Sequence, residues 1–152
     1  MSAKNPIWDI EPYVLCGPIS STDSKDSLIR MFGVPRVDAQ YVGGEVLMWD
    51  SPSFKALFLR ESGKLHQVCV GSRILSARFD GVVLTGSIAG LVKKLEAKGH
   101  IVKASGFSAW TVVDNGIHLW HKLDRKSVAE VTIDFCPAPE SDDTWKPLPT
   151  EN

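Results

Sequence analysis

A register of 63 residues runs through this chain. Leu28-Ile29-Arg30-Met31-Phe32 returns as Leu91-Val92-Lys93-Lys94-Leu95, and Leu65-His66-Gln67-Val68-Cys69-Val70 returns as Val128-Ala129-Glu130-Val131-Thr132-Ile133, each 63 positions later. The first pair is spaced like helices and the second like strands, so one offset links two kinds of element. That is the mark of a repeated fold unit. In a chain of 152 residues it confines the fold to two small halves around one core.

The second helix is the stronger. Ser87 is a good N-cap, and Ile88, Leu91, Val92 and Leu95 form one apolar stripe before a stop at Gly99. The first helix begins within Ser21-Thr22-Asp23-Ser24, buries Leu28, Met31 and Phe32, and ends at Gly33 with Pro35 just beyond. Each helix is followed by three strand-like runs: Glu45–Trp49, Phe54–Arg60 and Lys64–Val70, then Phe107–Val113, Gly116–Lys122 and Ser127–Phe135. Asn115-Gly116 predicts a type I′ hairpin turn, and Gly43-Gly44 reads as a turn or bulge. Short apolar segments precede both helices at Tyr13–Gly17 and Val82–Gly86, and Ile74–Phe79 reads as a further strand.

The expected fold is therefore α+β: a largely antiparallel sheet with two helices on one face, built by tandem duplication of a β-α-β-β-β unit. Residues 1–136 form the domain, with pseudo-repeats 11–73 and 79–136, and 137–152 form a Pro-rich acidic tail. Such a composition buries too little apolar surface to offset its ordering entropy. Trp145 is the exception in it, an aromatic suited to docking on the domain or on a partner.

Charge and motifs narrow the function. Seventeen basic against eighteen acidic residues leave a net charge of −1, which gives no footprint for nucleic acid and no polybasic membrane anchor. The N-terminal stretch has no apolar run of signal-peptide type. Three widely separated cysteines, Cys16, Cys69 and Cys136, fit buried thiols in a reducing compartment, and the protein is expected to be cytoplasmic. His118 and His121 are three apart on a strand, so they point to opposite faces and do not share a metal ion. With no nucleophile elbow, phosphate loop or dinucleotide fingerprint, no catalytic residue, metal or cofactor is assigned.

The aromatic pattern is more suggestive. In the middle strand of each half both faces carry apolar bulk, with Phe58 and Trp120 placed as counterparts. Helices cover only one face of an open sheet, so the other must meet a partner or a second sheet, or stay exposed. Phe58 and Trp120, flanked by His118, Glu45 and Lys122, are the expected partner-binding residues.

The helix ending Met31-Phe32-Gly33-Val34-Pro35, the strands to Val70 and their echo to Phe135 resemble the organisation of β-lactamase-inhibitor-type proteins and of small bacterial toxin-immunity proteins. The resemblance is one of architecture and carries no functional residue across. It implies a non-enzymatic protein that neutralises a cognate toxin by steric occlusion, with a toxin domain as partner. Two alternatives stand beside it. One is self-association through the sheet face. The other is a small-ligand binding domain or enzyme with a pocket between helix and sheet, for which Cys16, His66 and His121 are the available polar groups.

Overall fold

The computed structural model describes residues 6–71, 75–137 and 143–149. Among these are two helices, α1 (Lys25–Phe32) and α2 (Ile88–Ala97), and thirteen strands in two sheets. The small sheet holds β1 (Ile7–Glu11), β2 (Leu15–Cys16), β3 (Ile19–Ser20), β8 (Ser76–Phe79) and β9 (Val82–Val83), in the order β3-β2-β1-β8-β9. The large sheet holds β4 (Val37–Gln40), β5 (Gly44–Asp50), β6 (Ser53–Leu59), β7 (Leu65–Gly71), β10 (Val102–Ala104), β11 (Ala109–Val112), β12 (Ile117–Lys122) and β13 (Arg125–Asp134). Its order is β10-β11-β12-β13-β7-β6-β5-β4, antiparallel throughout.

The α+β class holds, with three differences from the sequence reading. There are two sheets, and within the small one β1 and β8 pair in parallel, a pairing that no local pattern announces. Four strands of the large sheet follow each helix, because the edge strands β4 and β10 are only four and three residues long and half exposed, too short for their side-chain alternation to stand out from the flanking loops. The Asp114–Gly116 turn is not of type I′: the left-handed φ angles fall on Asp114 (67°) and Gly116 (63°), with Asn115 between them outside that region. Ile74, expected to open a strand, lies outside the described residues, as do residues 1–5 and, within the tail, 138–142 and 150–152.

Helix boundaries follow from capping. Ser24 accepts from the Ser27 amide (3.1 Å) while Ser27 Oγ accepts from the Ser24 amide (2.8 Å), a reciprocal box that starts α1. At its other end the Gly33 carbonyl accepts from Trp49 Nε1 (2.9 Å), which ties the helix exit to β5. Ser87 caps α2 by accepting from the Gly90 amide (3.0 Å).

One core lies between the large sheet and the helices with the small sheet. Leu47, Trp49, Phe54, Ala56, Phe58, Val68, Val70, Val131, Ile133, Leu119 and Val112 line the sheet's inner face, and Leu28, Ile88, Leu91 and Leu95 reach it from the helices. The first half is aromatic: Phe54 stacks on Trp49 (ring centroids 4.8 Å) and meets Phe32 edge-on (4.8 Å) and Trp8 from β1 (5.2 Å).

The tail is not free over 143–149. The Val42 amide donates to the Lys146 carbonyl (2.9 Å) and the Gly43 amide to the Thr144 carbonyl (2.8 Å). Trp145 meets Tyr41 edge-on (6.0 Å) and stacks on His66 (5.9 Å). Gly43-Gly44 therefore makes a close approach: a Cβ on Gly43 would lie 2.8 Å from Thr144 Cα, and one on Gly44 2.5 Å from Trp145 Cζ3.

Candidate functional site

Strand alternation sorts the large sheet into two faces. The inner face is the core. The outer face carries Leu57, Lys55, Gln67, Cys69, Glu130, Thr132, Asp134, His118, Trp120 and Thr111, set side by side by the ladder register. A hydrogen-bonded row crosses it. Thr111 Oγ1 lies 3.0 Å from Ser105 Oγ and 2.9 Å from His118 Nδ1; His118 Nε2 lies 2.8 Å from Asp134 Oδ2; and Gln67 Nε2 donates to Asp134 Oδ1 (2.7 Å). Beside it a second row begins at Trp120, whose Nε1 donates to Thr132 Oγ1 (2.9 Å). Trp120 is 42% exposed.

The expected partner-binding residues divide between the two faces. His118 and Trp120 are neighbours on the outer face, and Lys122 is exposed at the end of the same strand. Phe58 is not there. It is 2% exposed on the inner face. Glu45 pairs with it in the ladder and is already held by Lys25 Nζ (3.0 Å) and Gln40 Nε2 (2.8 Å). The correction has a simple cause. The helix caps Ser24 and Ser87 are 63 residues apart, so the position that answers Phe58 is His121, whereas Trp120 answers Leu57. A slip of one residue turns every side chain of a strand to the other face. His118 and His121 do lie on opposite faces, as strand alternation requires.

Sequence reasoning missed the polar row of Thr111, Gln67, Asp134 and Thr132. Each sits at an alternate position of a strand that was assigned, so carrying the alternation across neighbouring strands would have found them.

Electrostatics bear on what the face does. Burial pushes the Asp134 carboxyl up, but the hydrogen bonds from His118 and Gln67 outweigh it and hold the group below the ordinary carboxylate range. Because the folded value is the lower one, the stabilisation is complete above the unfolded-chain value of about 3.9 and is lost as pH falls through the folded value. Replacing Asp134 with Asn should flatten the acid limb of stability, as read by urea unfolding from neutral pH down to pH 3. An unchanged limb would show that Asp134 is not coupled to folding.

Thr111, His118 and Asp134 line up like hydroxyl, base and orienting acid. The flanking strands spend their N–H groups in the ladder, however, which leaves no paired donors for an oxyanion. The thiols are equally unsuited to attack. Burial pushes Cys16 and Cys69 up to about 12 and also raises Cys136. Among the described residues no three His, Cys, Asp or Glu side chains converge in a metal-holding arrangement.

No family model matches the chain, and no curated protein matches it. Among solved structures it is similar to an extracellular protein containing an SCP domain from Bacillus anthracis strain Ames, at 12% identity and a TM-score of 0.51. The match covers 76% of this chain and 47% of that one, so the chain spans about half the length of that structure. At such identity the likeness is one of fold alone. Within the described residues no helix is long and apolar enough to cross a membrane.

Proposed function

We propose that this chain is a non-enzymatic binding protein that holds another protein against the outer face of its large sheet, centred on Trp120. The observation that carries this reading is the indole itself. It is 42% exposed on the sheet's outer face, and the hydrogen bond to Thr132 holds it in one orientation. A rigid aromatic with a pre-paid orientation is the kind of anchor that dominates protein interfaces. The row from Thr111 to Gln67 and the Lys55–Glu130 ion pair (3.7 Å) supply the polar surround. The two helix-and-four-strand halves, with caps 63 residues apart, support descent from a duplicated unit. Three cysteines that form no disulfide fit a reducing, cytoplasmic setting.

Toxin neutralisation by occlusion is the form of binding that the architecture suggests. The test is titration with the product of the gene adjacent to this one. Trp120→Glu should weaken that complex by at least about thirtyfold, as truncating an interface hot spot of 2 kcal/mol or more does, while the unfolding midpoint stays close to wild type. Equal affinity of the two proteins would remove the face from the mechanism.

A further inference from the structure

The opposite side of the sheet holds a different feature. Between α2 and strands β10–β12 runs a groove of 570 Å3, walled by Ile88, Val92 and Trp110 with Phe107 at its rim. His121 lines the same groove and is 8% exposed. Its Nδ1 is 2.8 Å from the Lys122 carbonyl oxygen, which only accepts, so Nδ1 carries the proton of the neutral ring. Nε2 is then an acceptor. No donor among the described residues reaches it, and it is not sealed from solvent. A buried imidazole thus offers one lone pair to an apolar groove, and a buried acceptor calls for a donor.

The first half keeps the corresponding place charged on its helix side. The hollow beside α1 is lined by Ser24, Lys25, Glu45 and Phe58. Lys25 Nζ there reaches Glu45 and Asp38, both at 3.0 Å. Sixty-three residues on, Lys25-Asp26 becomes Ile88-Ala89, Glu45 becomes Ser108, and Asp38 becomes Ile101. At the same offset Phe58 becomes His121. The helix wall has exchanged its charges for apolar carbon, while the strand wall has exchanged a phenyl ring for an acceptor.

We propose that this groove binds a small neutral aromatic alcohol, its ring against Ile88, Val92 and Trp110 and its hydroxyl donating to His121 Nε2. The volume falls in the range of about 300–1,000 Å3 typical of small-molecule sites, and apolar walls with one placed polar atom are their usual lining. The acceptor sets the class of ligand. A carboxylate has no proton to give and would set two acceptors against each other. An ammonium has protons, but Lys93 and Lys126 line the groove against a single acid, Glu96, and disfavour it. A hydroxyl on an apolar ring meets both walls. The site lies on the inner side of the sheet and is independent of the Trp120 face.

The test uses the full chain, labelled for NMR, at about pH 8, on the neutral side of the usual imidazole range. The probes are 2-naphthol, 2-methoxynaphthalene and 2-naphthoate. The alcohol should saturate with a Kd below about 1 mM. It should shift the Trp110 indole signal and move the His121 Nε2 nitrogen resonance towards that of a protonated nitrogen. The ether keeps the ring but has no proton to donate, and should bind at least about threefold more weakly, as loss of one hydrogen bond dictates. The acid should also bind more weakly than the alcohol. His121→Phe, which restores the ring found at Phe58, should bind alcohol and ether equally; if that variant does not fold, the Nε2 resonance of the wild type decides. Trp120→Glu should change nothing. Equal binding of alcohol and ether by the wild type, tighter binding of the acid, an unmoved Nε2 resonance, shifts centred on Trp120, or no saturation by the alcohol would each overturn the proposal.

Discussion

Phe58→Glu should leave the protein unable to fold at neutral pH, whereas Trp120→Glu should cost only about 1 kcal/mol, in the range of an exposed substitution that loses one hydrogen bond. The two residues look alike in sequence, each an aromatic in the middle strand of its half. Phe58 is 2% exposed and belongs to the continuous core. Removing such a ring costs about 3–5 kcal/mol before any charge is considered. A carboxylate there must also be desolvated, and it would face Glu45 directly across the β5–β6 ladder. Lys25 offers no rescue, since Asp38 and Glu45 already claim its ammonium group. The combined loss reaches the whole stability of about 5–15 kcal/mol expected of a domain. Far-ultraviolet circular dichroism and urea titration of both variants would decide the matter. A cooperative, near-wild-type transition in Phe58→Glu would show that the core has been misplaced.

That contrast shows which level of structure the sequence makes legible. Most strands of the large sheet were readable because period-two alternation is a local property: Phe54, Ala56 and Phe58 face one way whatever lies beyond them. Both helices were readable from their serine caps. What alternation does not supply is the sign, that is, which face the rest of the chain will cover. Pairing Phe58 with Trp120 used an offset of 62 where the helices and β7–β13 obey 63, and that one residue separates core from surface. The candidate site was half legible for the same reason. His118 and Trp120 fell on the correct strand, but Asp134, Gln67 and Thr132 join them only through the β12–β13–β7 pairing. That pairing includes β7 with β13, strands more than fifty residues apart in the chain.

Gly44→Val should destabilise the protein by about 3 kcal/mol or more, at the upper end of overpacking penalties, and should release the tail at the same time. Gly43→Val should release the tail with a smaller loss, about 1–2 kcal/mol, the scale of burying part of one aromatic side chain. The distinction rests on what each new side chain would strike. The three atoms nearest a Cβ on Gly43 all belong to Thr144, which can leave with its segment. A Cβ on Gly44 meets Trp145 Cζ3 and also the Phe58 carbonyl oxygen, both at 2.5 Å. The indole can swing away, but that oxygen belongs to β6, and moving it strains the β5–β6 ladder beside Phe58. The two glycines therefore serve different structures despite being adjacent: one admits the tail, and the other admits both the tail and the neighbouring strand. Amide exchange gives a readout for each. In both variants the Val42 and Gly43 amides, which donate to Lys146 and Thr144, should lose protection. Only Gly44→Val should also speed exchange along β5 and β6. Retained protection of Val42 and Gly43 in either variant would mean that Thr144 and Trp145 dock without needing the glycines, and the sequence pair Gly43-Gly44 would revert to an ordinary turn.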